Sequence, residues 1–178
     1  GASAVAIEAS SHALHQRRLS GTRIRTAAFT NLTQDHLDYH GTTEAYFEAK
    51  ASLFERHNPG HAVVCVDDVW GERLAERTRS QCLRVSSRLD GPKADVRIRT
   101  LNLTYSGIDA LVVGPHEARL RSPLIGQHNL QNLMVALGVL LTLGVDMRAA
   151  VDALGAAPPV RGRLEVVAIV ECRPRLPA

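Results

Sequence analysis

The residues able to do chemistry are concentrated in the segment 8–50. Glu8 follows directly on an apolar run, 4–7, and a dense group of imidazoles and carboxylates comes shortly after a second apolar run, 26–30. Ligands of open parallel sheets bind at the carboxyl ends of the strands, so both places are candidates for a site. The alternative for Glu8 is a solvated carboxylate at a strand end, because carboxylates mostly lie on the surface.

The imidazole and carboxylate group consists of Asp35, His36, Asp38 and His40. Taken alone, this donor set could suggest a zinc or two-metal hydrolase. His36 and His40 lie four residues apart and would share a helix face, but the preceding strand and Gly41 favour a loop. The same polar side chains could instead cap the next helix and hydrogen-bond the loop, and the spacing leaves both possibilities open.

Lys50 is unusual because Lys50 and Lys93 are the only lysines among 21 cationic residues. On a helix its neighbours three and four residues away would all be apolar or aromatic, namely Tyr46, Phe47, Leu53 and Phe54. The amine could reach water while its stem packs on the aromatic rings. Alternatively, desolvation would lower its pKa and leave a neutral amine able to react with carbon dioxide. The resulting carbamate would offer magnesium two oxygens.

Two further segments carry groups suited to ligand binding. Ser10, Gln16 and Arg18 surround the start of a short predicted helix, where hydroxyl and backbone N–H groups favour anions and arginine can bind one bidentately. Capping and surface exposure would explain each of them equally well. The run G-Q-H-N-L-Q-N at 126–132 could read a base edge through its amides and imidazole, or cap the long helix that follows.

The combination of E-A-S-S-H from Glu8, D-H-L-D-Y-H-G from Asp35 and A-K at Lys50 resembles the central, ATP-using domain of the Mur ligases of peptidoglycan synthesis. The resemblance covers residues 1–167 and is strongest to the ligases that add the third residue to UDP-N-acetylmuramoyl-dipeptide. It implies ATP-dependent ligation through an acyl phosphate, with Mg²⁺ as cofactor and ATP as co-substrate. The incoming amino acid would be diaminopimelate or lysine.

The resemblance also implies a role for particular residues. Three would hold magnesium and act in catalysis: Glu8, His36 and carbamylated Lys50. Three would contact the UDP-muramoyl peptide: Ser10, Gln16 and Arg18. Two would lie at the adenine of ATP: His128 and Asn132. Arg17, Asp35, Asp38 and His40 receive no role from it.

One motif of such a domain is missing, because no G-x-x-x-x-G-K-[ST] loop occurs in the 178 residues. We therefore expect residues 1–160 to be a partial Mur ligase central domain, and 161–178 to be a hinge, R-G-R-L-E, followed by an atypical tail. The isolated chain is not expected to complete a ligation. Two alternatives are a non-catalytic remnant that keeps sugar-nucleotide affinity, and a fragment of a folylpolyglutamate-type or cyanophycin-type ligase.

The elements that must position these residues alternate between strands and helices, which predicts an α/β fold with a mostly parallel sheet flanked by helices. The predicted strands are 4–7, 26–30, 62–66 and 82–86, and the predicted helices are 11–19, 43–56 and 69–79, with Thr42 or Thr43 as an N-cap. After residue 92, alternation predicts a small antiparallel subdomain. Apolar residues at helical spacing then predict helices over 128–143, ending at Gly144, and over 147–154.

Composition limits the function classes. With 45% hydrophobic and 22% charged residues the chain fits one globular domain. The net charge of +3 comes from dispersed cations with few aromatic residues, which argues against nucleic acid as a partner. Three cysteines without C-x-x-C spacing fit a reducing cytoplasm. The apolar stretch 133–145 is too short to span a membrane. We expect a cytoplasmic monomer.

Overall fold

The structure is a computed structural model that describes residues 4–33 and 37–159. Its strands are β1 Thr26–Phe29, β2 His61–Cys65, β3 Gln81–Ser86, β4 Val96–Thr104, β5 Gly107–Val113 and β6 Glu117–Ser122. Its helices are α1 Ser11–His15, α2 Leu37–His40, α3 Thr43–Glu55, α4 Val69–Arg77, α5 Gln127–Thr142 and α6 Met147–Gly155. Apart from α2, which was not predicted, these bounds agree with the predicted order of elements from the second strand onward.

A single sheet runs through the described residues in the order β1-β2-β3-β4-β5-β6. The first four strands are parallel to one another, and β4, β5 and β6 are antiparallel neighbours. The predicted α/β fold and its antiparallel part are therefore confirmed, with the antiparallel strands extending the parallel sheet. Along β6 the exposed residues Glu117, Arg119 and Arg121 alternate with buried ones, as expected for a strand covered on one face.

Both faces of the parallel strands are covered by helices, which is why β2 is a continuous apolar run. Val63 and Cys65 belong to the core cluster with α5 and α6, whereas Ala62 and Val64 belong to the cluster with α1, α3 and α4. Successive side chains of a strand point to opposite faces, so one strand contributes to both cores. β2 is therefore the element that joins the two helical layers.

The α5 layer packs very closely on the sheet. Leu130, Leu133 and Leu137, spaced three and four residues apart, are buried against it. Gly138 lies where a Cβ atom would be only 2.6 Å from Val63 Cγ1. The absent side chain is what lets the helix backbone approach this strand.

The opposite layer is closed by a charged cluster on the outer side of α3 and α4. Arg77 hydrogen-bonds Glu48 and Glu55, with its Nη2 2.8 Å from Glu55 Oε1. The hydrogen bond from Arg77 lowers the pKa of the Glu48 carboxyl. The guanidinium of Arg73 lies 4.8 Å from the ring centroid of Phe47, which is fully buried. This cation–π contact between Arg73 of α4 and Phe47 of α3 stabilises the packing of the two helices.

Three helix ends follow the chemistry expected from the sequence. Thr42 Oγ1 accepts a hydrogen bond of 3.1 Å from Ala45 N and caps α3, which decides between the two predicted threonines. Asp68 Oδ1 accepts one of 2.7 Å from Gly71 N and caps α4. Gly144 ends α5 with φ +85°, a conformation that favours glycine.

The predicted strand 4–7 is wrong. Residues 4–10 have no regular secondary structure, and the side chains of Val5 and Ile7 are 75% and 64% exposed. A strand needs a hydrogen-bonded neighbour, and β2 is the strand that pairs with β1 in the described sheet. The apolar composition of residues 4–7 favours a strand, but this segment pairs with no strand of the described sheet.

The predicted helix 11–19 is too long, because α1 ends at His15. Arg17 adopts φ +55°, which is incompatible with continuing a right-handed helix. The predicted loop before Gly41 is also wrong, since 37–40 form the short helix α2. Gly41, with φ +76°, ends that helix and donates from its N to Leu37 O at 2.9 Å.

None of the helices that the structure describes is both long enough and apolar enough to cross a membrane. The longest, α5, has 16 residues, fewer than the roughly 20 that a bilayer core requires.

Candidate functional site

The carboxyl ends of β1, β2 and β3 meet the start of α5 in a group of linked polar side chains. We call this group the edge network; its members are Asn31, Cys65, Asp67, Ser86, Ser87, Gln127 and Gln131. Asn31 Nδ2 donates to Gln131 Oε1 at 2.7 Å, and Gln131 Nε2 donates to Cys65 Sγ at 3.4 Å. These two hydrogen bonds connect α5 to Asn31, which follows β1, and to Cys65, which ends β2.

Asp67 is the centre of the other half of the edge network. Its carboxylate accepts hydrogen bonds from Ser86 Oγ at 2.6 Å, Ser87 N at 3.0 Å and Ser87 Oγ at 2.5 Å. Gln127 Nε2 then donates to Ser87 O at 3.1 Å and to Ser87 Oγ at 3.0 Å. Because Ser86 and Ser87 are buried, these bonds satisfy groups that would otherwise be costly to bury. They fix the first turn of α5 relative to β2 and β3.

Cys65 has a structural part in the edge network. Burial raises the pKa of its thiol to about 12, and the neighbouring charge of Asp67 acts in the same direction. The thiol therefore keeps its proton at neutral pH, and a protonated thiol is a poor nucleophile. Cys65 accepts a hydrogen bond here and is not a candidate for covalent catalysis.

The two residues predicted to lie at adenine are exposed at the edge of this network. His128 and Asn132 are four residues apart on α5, so they share a helix face, and both are open to solvent. The alternative in which an Asn or His side chain caps α5 is wrong: the N-cap is Gly126, with no side-chain hydrogen bond, and Asn129 Nδ2 donates to Ile125 O at 2.8 Å. Their role at adenine stays a prediction.

The residues predicted to bind the muramoyl substrate flank α1. Ser10 Oγ accepts a hydrogen bond of 3.2 Å from Ala13 N and caps the helix. Gln16 is the C-cap, and Arg18 follows it with an exposed side chain. A helix of five residues is about 7.5 Å long, so a single extended ligand could reach both ends. The structure thus places Ser10 at one end of this short helix and Gln16 and Arg18 at the other.

Lys50 lies on α3 beside the apolar side chains predicted for it. Phe47, Leu53 and Phe54 are buried, and Lys50 itself is half-buried. Its Nζ atom is 5.2 Å from the ring centroid of Tyr46. This position confirms the predicted packing of Lys50 against an aromatic stripe, while carbamylation stays a prediction.

A cluster of imidazole and phenol rings joins α1 and α2 to α3 close to Lys50. His15 Nδ1 and Tyr39 Oη share a hydrogen bond of 2.8 Å, and His40 Nε2 and Ser11 Oγ share one of 2.9 Å. The ring of His40 stacks on that of Tyr46, with centroids 5.2 Å apart. The ends of α1 and the lysine helix are therefore held together by this cluster.

Sequence reasoning missed two parts of this region. The S-S-H-x-x-H spacing places the histidines of α1 on one helix face, which could have indicated the ring cluster. The V-D-D run directly after β2 could have indicated a carboxylate at the carboxyl end of that strand. Its partner Ser87 is 20 residues further along, and Gln127, which donates to Ser87, is 60 residues further along, so neither has a local signal.

The predicted magnesium ligands are only partly described. Glu8 is exposed in the irregular segment before α1, and His36 lies outside the described residues, as does Asp35. Within 4–33 and 37–159, no group of three or more His, Cys, Asp and Glu side chains is arranged to hold a metal ion. Because Asp35 and His36 lie outside the described residues, the zinc or two-metal alternative is not tested, and the assignment of Glu8, His36 and Lys50 stays a prediction.

Residues 1–140 match the family of the Mur ligase middle domain. The chain is 45% identical over 175 residues to the UDP-N-acetylmuramoyl-L-alanyl-D-glutamate–2,6-diaminopimelate ligase of Parasynechococcus marenigrum, covering 95% of this chain and 34% of that protein. The ligase of the same name from Neisseria meningitidis is 41% identical over 170 residues, covering 94% and 35%. The chain thus spans about a third of the length of these relatives.

Solved structures show the same similarity. A structure of a UDP-N-acetylmuramoyl-L-alanyl-D-glutamate–2,6-diaminopimelate ligase matches with a TM-score of 0.80 and 36% identity, over 92% of this chain and 34% of that one. A crystal structure of MurF from Acinetobacter baumannii matches with a TM-score of 0.71 and 25% identity, over 79% and 31%. The sheet and helical layers described above are therefore shared with these enzymes.

Proposed function

Because the chain belongs to the Mur ligase family through its middle domain, we propose that it forms part of an ATP-dependent ligase acting on UDP-N-acetylmuramoyl-L-alanyl-D-glutamate. The observation that carries this proposal is the placement of Ser10, Gln16 and Arg18 around α1, next to the helix that bears Lys50. The relatives named above are diaminopimelate ligases. This favours diaminopimelate over lysine as the incoming amino acid, and a muramoyl ligase over a folylpolyglutamate-type or cyanophycin-type enzyme.

The proposed reaction forms an amide in two steps. ATP transfers its γ-phosphoryl group to the terminal carboxylate of the muramoyl dipeptide, and ADP leaves. The amine of the amino acid then attacks the acyl carbon, loses a proton and displaces inorganic phosphate. The first step brings carboxylate and phosphate oxygens together, and the second develops negative charge on the acyl oxygen, so positioning and charge stabilisation are the protein's main contributions.

The chain's own residues suit these contributions. Arg18, exposed just past α1, could bind a phosphate or carboxylate group of the muramoyl substrate through two N–H groups. Ser10 begins the same helix. His128 and Asn132, exposed on one face of α5, could contact adenine, while the edge network fixes the start of that helix.

Magnesium fits the chemistry of the proposed donors. Glu8 offers an exposed carboxylate, and carbamylation of Lys50 would replace a cation by an anion with two oxygens, the donor type that magnesium prefers. His36 would be the third ligand. When bound, the ion would supply charge neutralisation between the phosphate and carboxylate oxygens. The cytoplasmic location, monomeric state and domain limits at 1–160 and 161–178 stay predictions.

Calorimetric titration with UDP-N-acetylmuramoyl-L-alanyl-D-glutamate tests the proposal. We expect saturable binding, weakened roughly tenfold to a hundredfold by Arg18→Gln, because a charge-assisted hydrogen bond contributes about 1.5–3 kcal/mol. Arg23→Gln is the matched control, since Arg23 is also an exposed arginine and is not among the proposed contacts. The proposal would be contradicted if the chain with its original sequence did not bind the substrate, or if the Arg18 and Arg23 variants bound it with equal affinity.

A further inference from the structure

A cavity of about 410 Å³ lies between the end of α1 and the end of α3. Its lining includes Leu14, Arg17, Ser20, Ser52, Arg56 and His57. The loop that follows α3 lies beside the chain entering β1, since His61 N donates to Arg25 O at 3.0 Å. Arg56 and His57 therefore lie near the amino ends of the strands, whereas the edge network lies at their carboxyl ends.

The charged side chains that line this cavity are arginines. Its lining contains two guanidinium groups and no carboxylate. Within the described residues, neither Arg17 nor Arg56 forms an ion pair. The nearest carboxylate along the chain, Glu55, binds Arg77 at 2.8 Å instead. Two cations that line one cavity and have no ion-pair partner among the described residues are a favourable place for an anion.

Arg17 also occupies a backbone position that normally requires glycine. Arg17 N donates to Leu14 O at 3.0 Å and Arg18 N donates to Ala13 O at 2.9 Å. These two bonds form the Schellman motif that ends α1, with Arg17 at the left-handed position, φ +55°. A side chain there strains the backbone. Local stability would favour glycine, so an arginine at this strained position is consistent with a use for its side chain.

We propose that this cavity binds the phosphate group of a small ligand, at a site separate from the proposed ligase site. Two guanidinium forks offer at least four N–H donors and two charges, which match the three or four oxygens and nearly two charges of a phosphate better than a carboxylate. The Ser20 hydroxyl and the His57 ring line the same space. Ser52 is not counted as a donor, because its Oγ already donates to Ala49 O at 2.7 Å.

The volume of the cavity limits the size of the ligand that carries the phosphate group. A pocket of this size lies within the range of small-molecule sites, roughly 300–1,000 Å³, and exceeds what a bare phosphate fills. Inorganic phosphate and a small phosphate ester share the recognised group. They are distinguished by comparing inorganic phosphate with glycerol phosphate as titrants.

The test is calorimetric titration of the chain with inorganic phosphate and with glycerol phosphate at low ionic strength, where screening is weak. We expect one saturable site for either titrant, weakened about tenfold by Arg17→Gln and by Arg56→Gln but not by the exposed control Arg23→Gln. Tighter binding of glycerol phosphate identifies an ester as the ligand, and tighter binding of inorganic phosphate identifies the free ion; either supports the proposal.

A second variant separates binding from folding. Arg17→Gly removes the guanidinium and relaxes the left-handed backbone, so we expect a higher melting temperature together with weaker phosphate binding. Unchanged phosphate affinity in Arg17→Gly would overturn the proposal, as would equal affinity for acetate or no saturable uptake by the unchanged chain. Competition between phosphate and UDP-N-acetylmuramoyl-L-alanyl-D-glutamate would place the phosphate in the ligase site and overturn it as well.

Discussion

Lys50 is a residue whose chemistry depends on its immediate surroundings. It is half-buried on α3 with its amine near the ring of Tyr46. We expect a carbamate on Lys50, in which the amine nitrogen bonds to the carbon of CO₂ and releases a proton. Native mass spectrometry in bicarbonate at neutral pH should show a gain of roughly 44 Da, the mass of CO₂ added to a neutral lysine amine.

Conservative variants locate that modification. Lys50→Arg keeps the charge but cannot form the carbamate, so the added mass should disappear. Lys93→Arg changes the other lysine, which is exposed between β3 and β4, and should leave the added mass in place. Retention of the added mass in Lys50→Arg would refute the assignment.

At this scale the sequence was most informative where neighbours along one helix decide the environment. The setting of Lys50 followed from residues three and four positions away. The edge network did not follow, because Asp67, Ser87 and Gln127 meet only after β2, β3 and α5 are assembled. The left-handed turn at Arg17 was also missed, since the residue type argues against that conformation.

The contact between α5 and β2 gives a prediction about an element. Gly138→Ala would place its Cβ 2.6 Å from Val63 Cγ1 and 3.0 Å from Val85 Cγ1. The overpacking costs about 1–3 kcal/mol, and the gain in helix propensity offsets up to about 1 kcal/mol. We expect the free energy of unfolding to fall by about 1–2 kcal/mol, measured by urea denaturation.

The control for Gly138→Ala is the same change in a Val63→Ala background. Removing the two methyl groups of Val63 makes room, so the cost of the alanine at 138 should largely disappear. A Gly138→Ala variant more stable than the unchanged chain would show that the helix can shift away from the sheet.

Elements with a period of their own were predictable from the sequence, and elements that depend on a neighbour were not. α3, α4 and α5 carry apolar stripes and end at capping residues or glycines, so their predicted limits agree with the structure to within two residues. The run 4–7 has strand composition, but Val5 and Ile7 remain exposed without a pairing strand. Hydrogen-bonded pairing is a property of two segments, and neither segment encodes it alone.

The whole molecule has two helical layers that share β2, and this arrangement predicts one cooperative unfolding transition. Trp70, the only tryptophan, lies with Phe47 in the layer of α3 and α4, with ring centroids 5.0 Å apart. Val63 faces the opposite layer. We expect Val63→Ala to lower the urea midpoint of tryptophan fluorescence and of far-ultraviolet circular dichroism equally, because a buried truncation costs about 1–3 kcal/mol throughout a two-state fold.

Val64→Ala is the matched variant for that experiment, since Val64 is equally buried but faces the layer that contains Trp70. It should shift both signals together as well. A Val63→Ala variant that shifts circular dichroism while tryptophan fluorescence keeps its midpoint would mean that the layers unfold separately.

The charged residues along β6 have a consequence for association between copies of the chain. In the described sheet β6 is an outer strand, and outer strands can template β-aggregation. Glu117, Arg119 and Arg121 lie on its exposed face, so a second copy adding its own β6 in parallel register would place like charges opposite one another, which destabilises the pairing. β1, at the opposite margin, offers only four residues for such growth. The charges of β6 and the short length of β1 thus oppose the addition of a further strand at the two edges of the described sheet.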